Sequence, residues 1–414
     1  MAFKSTNFYY DNKSGIVLTS SDSLTPNQSS IQSSVNYFTK SGGPVAGDHF
    51  GDSVAVGNGR IVVGAYGDDT NGSNSGMVSV YDLDYTHLFN ITGSTTNNEF
   101  GQSVAVGEGR IAVRWFNSGT WSVTVYDLSG NFLFTKSEST DTAQFGTNLA
   151  IGHNKILISS PNRTVSGVDT PTVFMYDLDG NLIKDIRLSS ETFTLTTNFS
   201  KYPIAVGSER IVISNPGAYG PSGTPNQGIV WIYDIDGNLI KEIGEPSQSG
   251  PYLDFGDSVA VGNGRIVVTQ NHQLRQPGKF YIYDLNGNLV KGPIVDINHQ
   301  TNVYDTWGCS VGISGTTIIF NRPGGKNFNG DNSNKSSVDF YDLNGNFLFT
   351  VDLSSLTNYD STHNVSDEEM SVNQGRIVIG SPFDDNNLGA PSYQPSGRVI
   401  TLEIPDAKDI FSLF

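Results

Sequence analysis

Apolar and polar residues alternate with period two in short runs along this chain, the spacing of strands with one buried face. The first set predicts four strands, over Ser53 to Val56, Arg60 to Val63, Met77 to Tyr81 and Leu88 to Ile91. The set then returns. FGDSVAVGNGRIVVGAY from Phe50 is followed by FGQSVAVGEGRIAVRWF from Phe100, FGTNLAIGHNKILISSP from Phe145 and FGDSVAVGNGRIVVTQN from Phe255, with looser copies from Pro203, Trp307 and Met370. Aligned on the basic residue that opens the second strand, the copies fall at Arg60, Arg110, Lys155, Arg210, Arg265, Thr317 and Arg376, separated by 50, 45, 55, 55, 52 and 59 residues. That makes seven units.

Turn chemistry supports the four-strand reading. Asn-Gly or Glu-Gly joins the first strand to the second, a pair that supplies the positive φ of a two-residue hairpin. The turn from third to fourth strand reads YDLSGN at Tyr126, YDLDGN at Tyr176, YDIDGN at Tyr233 and YDLNGN at Tyr283 and Tyr341, while the first unit has Tyr85 and Thr86 in place of Gly-Asn. Seven four-stranded units of about fifty residues fit the radial sheets of an all-β, seven-bladed β-propeller. Small residues at Ser53, Ala55 and Gly57 suit an innermost strand, where blades crowd at the axis. The last unit lacks a fourth strand after GRVITLEIP, and SVNYFTKS (34–41) resembles NFLFTKS at Asn131. These residues are predicted to close the ring beside 397–404, which removes an open sheet edge. The organisation expected is an N-terminal arm (1–33), a propeller (34–405) and a C-terminal tail (406–414).

FGDSVAVGNGRIVVGAYGDDTNGSNSGMVSVYD resembles the FG-GAP repeat, best known from the propeller heads of integrin α subunits. The FG pair stands at Phe50, Phe100, Phe145 and Phe255, with Trp307 and Gly308 as a variant, and the proline of GAP at Pro161, Pro216, Pro323 and Pro382. The resemblance implies the fold and not an activity. Integrin-type repeats hold calcium in a DxDxDG loop between first and second strands. This chain has tight NGR, EGR or SER turns there, so that calcium is not carried over.

Composition then limits the partners. Lys and Arg number 24 against 41 Asp and Glu, a formal charge of −17 that opposes binding to nucleic acid or an anionic membrane. One cysteine, Cys309, excludes an internal disulfide framework and thiolate metal clusters. No apolar run reaches the length of a membrane span, and MAFKSTNFYYDNKSG lacks the basic-then-apolar order of a secretory leader. The six histidines show no metal-ligand spacing, and VGNGRIV lacks the third glycine of a dinucleotide site. No catalytic residue and no cofactor is expected.

The Asp of the YD pair recurs as Asp82, Asp127, Asp177, Asp234, Asp284 and Asp342, with Glu403 in the last unit. Antiparallel pairing predicts that it meets the base of GRI in a cross-strand ion pair. Function is expected where the repeat breaks, in the long loops that gather on one face. Candidate contact residues there are Tyr66, Asp68, Trp115, Trp121, Tyr219, Phe328, Phe383 and Tyr393. Asp69, Asn71 and Ser73, and likewise Asp384 and Asp385, alternate as oxygen donors of a calcium loop but lack its Gly-x5-Glu ending and read as solvated loops. Apolar side chains in the two tails, Phe3, Phe8, Tyr9, Tyr10, Phe411 and Phe414, are candidate docking residues. Together these features predict a non-enzymatic binding module whose partners are virion or surface proteins or a glycan. The leading expectation is a phage virion accessory or decoration protein docked by its arm. The alternatives are an extracellular or cell-surface FG-GAP adhesion protein, and a propeller hydrolase or lyase.

Overall fold

A computed structural model of the chain describes residues 35–39, 45, 47–138, 144–190, 202–220, 224–246, 253–270, 278–295, 310–322, 337–353, 369–381 and 397–404. Their strands form seven four-stranded antiparallel sheets and one two-stranded hairpin. Blade 1 runs from the axis outward as Val54–Gly57, Arg60–Ala65, Met77–Tyr81 and His87–Thr92. Blades 2 to 6 repeat that order, and blade 3 adds the hairpin Thr164–Val165 with Val168–Asp169 in its long loop. Each innermost strand touches the next, and the seventh touches the first. The ring is closed.

Blade 7 takes three strands from the end of the chain, Met370–Asn373, Arg376–Ser381 and Arg398–Glu403, and its fourth from the beginning, Val35–Phe38 paired with Arg398–Glu403. Closure by the N-terminal strand is therefore as the sequence predicts, with one refinement of register. Phe38 lies opposite Val399, whereas its sequence counterpart Phe134 lies opposite Val125, nearer its own turn. A slip of two residues keeps the same side chains on the same face. Phe38 thus still points into the seam with blade 1, its ring 4.5 Å from Tyr81 and 6.1 Å from Tyr85. This places the exceptional turn. In blade 2 the turn holds Gly130, where a Cβ would stand 2.7 Å from the Phe89 ring of blade 1; in blade 1 the same position is Tyr85, packed on the closing strand.

The core lies between blades. Val212, Val230 and Ile232 of blade 4 pack with Ile266, Val268 and Tyr281 of blade 5, and the other six blade pairs are cemented by clusters of the same kind. Both sheet faces are covered, which is why Ile61, Val62 and Val63 are all fully buried and the second strand reads as continuous β-branched residues.

At the short-turn face the expected ion pair gives way to a different use of the same residues. Oδ1 of Asp127 accepts the backbone N–H groups of Ser129 (2.8 Å) and Asn131 (2.9 Å), and Oδ2 accepts the Asn131 side-chain amide (2.8 Å). Asp177, Asp234, Asp284 and Asp342 repeat this cap. Hydrogen bonds from the turn Asn hold the Asp127, Asp177, Asp234 and Asp284 carboxyls below their usual range. The bases reach outward instead. Nε of Arg60, Arg110, Arg210 and Arg265 donates to the carbonyls of Leu128, Leu178, Leu285 and Leu343 in the following blade, at 3.4, 3.1, 2.7 and 3.2 Å. A short Asp is satisfied by its own turn, while a long Arg spans to the neighbour. Among the described residues the predicted pair forms between Arg376 and Glu403, at 3.0 Å. Thr317 lies opposite Asp342, the one position where no base was expected to meet it.

Candidate binding face

The opposite face carries the long loops, and its best-described part spans blades 1 to 4. In blade 1 the loop after the second strand and the link into blade 2 form one layer: Asn97 and Glu99 donate their backbone N–H to the carbonyls of Ser73 (2.8 Å) and Asn74 (3.0 Å). Gly76, with φ of 77°, makes a parallel bridge to Phe100, the Phe of the next FG pair. A Cβ there would stand 2.2 Å from the Phe100 nitrogen, so glycine is required. The FG phenylalanines Phe50, Phe100, Phe145 and Phe255 are all buried, each in a cluster between two neighbouring blades.

This packing decides several candidates. Asp68 is fully buried; its Oδ1 accepts the Thr70 N–H (2.9 Å), so it caps the loop and offers no contact surface. Asp69 Oδ1 accepts the Asn74 N–H at 2.8 Å, and the Asn71 side-chain amide donates to Thr92 Oγ1 (3.0 Å) and to the Gly93 carbonyl (2.8 Å). Those groups of the calcium candidates Asp69, Asn71 and Ser73 serve the turn, the last through its carbonyl. No group of three His, Cys, Asp or Glu placed to hold a metal occurs among the described residues. Tyr66 is partly exposed and stacks on His49, ring centroids 4.7 Å apart and nearly coplanar in orientation, where burial lowers the imidazole pKa. Tyr219 is exposed at 38%, while Tyr202 is buried and its hydroxyl accepts from Asn215. Phe328, Phe383, Tyr393, Asp384, Asp385, Phe3, Phe8, Tyr9, Tyr10, Phe411 and Phe414 lie outside the described residues.

Blade 2 holds a buried base that stands apart from the exposed loop residues. Arg114 stands where blades 1 and 7 have Gly64 and Gly380 and blades 3 and 4 have Ser159 and Ser214, and it is only 4% exposed. Its Nε donates to the Phe145 carbonyl (2.9 Å), its terminal nitrogens donate to the side-chain oxygens of Gln102 and Gln144, and its guanidinium lies 3.6 Å over the Trp121 ring. Burial lowers its pKa to about 9, against the opposing pull of Glu99. Trp121 is therefore an interior wall of this cage, and Trp115, half-buried, donates Nε1–H to Thr124 Oγ1 at 2.9 Å. The signal was present in the repeat: RIAVRWF puts a long base where other copies put a small residue, and Gln102 replaces the Asp of FGD.

Beyond the cage, Arg163 of blade 3 joins Glu138 of blade 2 at 2.7 Å and Asp185 at 3.6 Å, beneath the hairpin whose Val168 is exposed at 65%. What this face offers is a rigid, uneven polar surface with isolated apolar tips. It can bind, and it places the Ser160 hydroxyl as donor to one Glu138 carboxylate oxygen while the other accepts from Arg163 Nε.

No curated protein matches the chain in sequence. Among solved structures it is similar to the propeller domain of the trilobed protease from Pyrococcus furiosus (12% identity, 70% of this chain and 80% of that one, TM-score 0.44). It is also similar to the WD40 propeller of Doa1 (9%, 90% and 99%, 0.46) and to a europium-containing methanol dehydrogenase (10%, 91% and 94%, 0.44). Likenesses this distant carry no argument about activity, and the fold rests on the strand pairing above. The family match is local: residues 41–81 match the FG-GAP repeat, so the chain is a seven-bladed propeller of FG-GAP repeat character with the matched repeat in its first blade.

Proposed function

We propose that this chain is a non-enzymatic binding module, with the long-loop face as its contact surface and the N-terminal arm as its docking element in a larger assembly. The supporting observation is the division of labour between faces. Repeated carboxylates and bases are consumed by turn caps and blade-to-blade bonds, while the loops opposite differ from blade to blade. Within this class the chain is a virion accessory or decoration protein that presents its loops outward. Its partners are other virion proteins or a surface glycan; the charge of −17 disfavours polyanions. The FG-GAP match favours one second reading, a cell-surface or secreted adhesion protein that binds glycan or protein.

Mass spectrometry of purified particles tests the first reading. The chain should appear at a fixed copy number, and removal of residues 1–33 should lower incorporation by about tenfold or more, as expected when one of two linked contacts is lost. Recovery on washed cell surfaces and not in particles would replace it with the adhesion reading.

A further inference from the structure

The segment FGDSVAVGNGRIVV occurs twice without a difference, from Phe50 in blade 1 and from Phe255 in blade 5. Each copy folds its Asn-Gly into the same two-residue hairpin, with Gly57 opposite Arg60 and Gly262 opposite Arg265. The backbone matches as well, with φ of 48° and 73° at Asn58 and Gly59 and of 45° and 75° at Asn263 and Gly264. Sequence and local conformation are constant, so any difference in the chemistry of the two turns comes from the neighbouring blades.

In blade 1 the turn is tied on both sides. The Gly59 N–H donates to Oε1 of Gln374 in blade 7 at 2.9 Å, and Oδ1 of Asn58 accepts the Gly109 N–H of blade 2 at 3.2 Å. In blade 5 only the forward tie forms, from the Asn263 side-chain amide to the Gly315 carbonyl of blade 6. Ser208 of blade 4 stands where blade 7 has Gln374, and its side chain is too short to repeat that bond. Among the described residues the Gly264 N–H has no hydrogen-bond acceptor, and Gly264 is exposed where Gly59 is half-buried. The three other described Asn-Gly pairs resemble the first copy. Gly72, Gly287 and Gly345 donate N–H to the carbonyls of Asp69 (3.1 Å), Asp284 (3.0 Å) and Asp342 (2.9 Å), and none of these glycines is exposed.

An Asn-Gly pair reacts with itself when the glycine nitrogen gives its proton to solvent base and attacks the Asn side-chain carbonyl. A bond forms from that nitrogen to Cγ, the bond from Cγ to Nδ2 breaks, and the amide leaves as ammonia after taking up a proton. The cyclic imide then adds one water and opens to aspartate or isoaspartate. Glycine favours the attack because it has no Cβ to obstruct the approach. Base must reach the N–H, and the N–H must surrender any acceptor it holds. Both Asn side chains must also leave one partner to react, a cost common to the two copies. The bond from Gly59 to Gln374 is the difference that remains.

We propose that Asn263 is a site of spontaneous deamidation, and that Gln374 protects the identical turn at Asn58. The product alters the ring where it forms. A carboxylate at position 263 cannot donate to the Gly315 carbonyl, so conversion removes the tie between the turns of blades 5 and 6 and adds negative charge there. Isoaspartate also routes the backbone through an extra methylene in a hairpin whose two-residue geometry is tightly specified. None of this depends on which partner the long loops bind.

Peptide mapping by mass spectrometry tests the proposal on the folded full-length chain in mildly alkaline buffer. Trypsin releases the copies in different peptides, 41–60 and 242–265. Conversion at Asn263 should run about fivefold faster than at Asn58, the factor that one net hydrogen bond supplies. Gln374→Ala should raise Asn58 toward the rate of Asn263 and leave Asn263 unchanged. In concentrated urea the two copies should convert at one rate. Equal rates in the folded chain, or a difference that survives unfolding, would overturn the proposal. A Gln374→Ala chain in which Asn58 stays slow would overturn it too.

Discussion

At the short-turn face, Asp127, Asp177, Asp234, Asp284 and Asp342 make the same three hydrogen bonds in five blades. At the long-loop end of the second strand, one repeat position holds Gly64, Arg114, Ser159, Ser214, Thr269, Asn321 and Gly380 in turn. Only the first is uniform. A turn closed by local bonds has one solution, which every blade reuses. A position that faces a neighbouring loop must match whatever that loop brings, and so it varies. Repetition marks the scaffold here, and departures from it mark where a partner can be accommodated.

The comparison can be broken most strongly where the long-loop end still follows the repeat. Phe255 is fully buried at the junction of blades 4 and 5, and Phe255→Ala should cost about 3 to 5 kcal/mol in a denaturant titration. Arg114→Ala should cost about 1 to 3 kcal/mol, because the Phe145 carbonyl and the Gln102 and Gln144 oxygens lose a donor in a buried cage. Lys241→Ala removes the bond from Nζ to the Gly287 carbonyl (2.7 Å) on the rim of the short-turn face and should cost no more than about 1 kcal/mol. Tyr219→Ala should change stability by about 0.5 kcal/mol or less and act on binding alone.

Alkali should sharpen the contrast, since the two ends respond with opposite sign. Burial raises the Tyr126 and Tyr176 phenols, of the repeated YD pair, from 10.0 to about 12. Between those values the unfolded chain ionises first, so their contribution is full below pH 10 and is lost as pH rises to about 12. Arg114 is lowered from 12.5 to about 9, so its burial cost is full below pH 9 and is relieved as pH rises toward 12.5. Wild type should therefore lose stability overall above pH 10. Arg114→Met should lose it more steeply, measured as urea midpoint against pH.

Most of the scaffold was legible in the sequence because the repeat states the same facts seven times. The first blade's third strand was placed to the residue, and the closing strand was found from the resemblance of SVNYFTKS to NFLFTKS. Its register, with Phe38 opposite Val399, was not legible in that likeness, because likeness compares side-chain types while pairing accompanies the Phe38 contacts with Tyr81 and Tyr85. The YD and GRI residues were assigned to each other from strand pairing alone. Pairing fixes which Cα atoms are opposite, not where a short carboxylate or a long guanidinium finds its hydrogen bonds. Candidate contacts were chosen by residue type on loops, which brought in Asp68 and Trp121; both turn inward, since a loop of this length must cap its own backbone and cover its own base. Arg114 was overlooked for the converse reason, as a base inside an apolar strand.

The central claim is that binding belongs to the long-loop face, and one paired measurement tests it most directly. The full-length chain, a long-loop variant (Val168→Glu with Tyr219→Ala) and a short-turn variant (Asp179→Asn with Glu209→Gln) are compared for binding to a glycan array and to purified phage particles. The account predicts that the first variant loses about tenfold or more in affinity on whichever probe the wild type binds, and that the second is unchanged. Loss confined to the short-turn variant would contradict it.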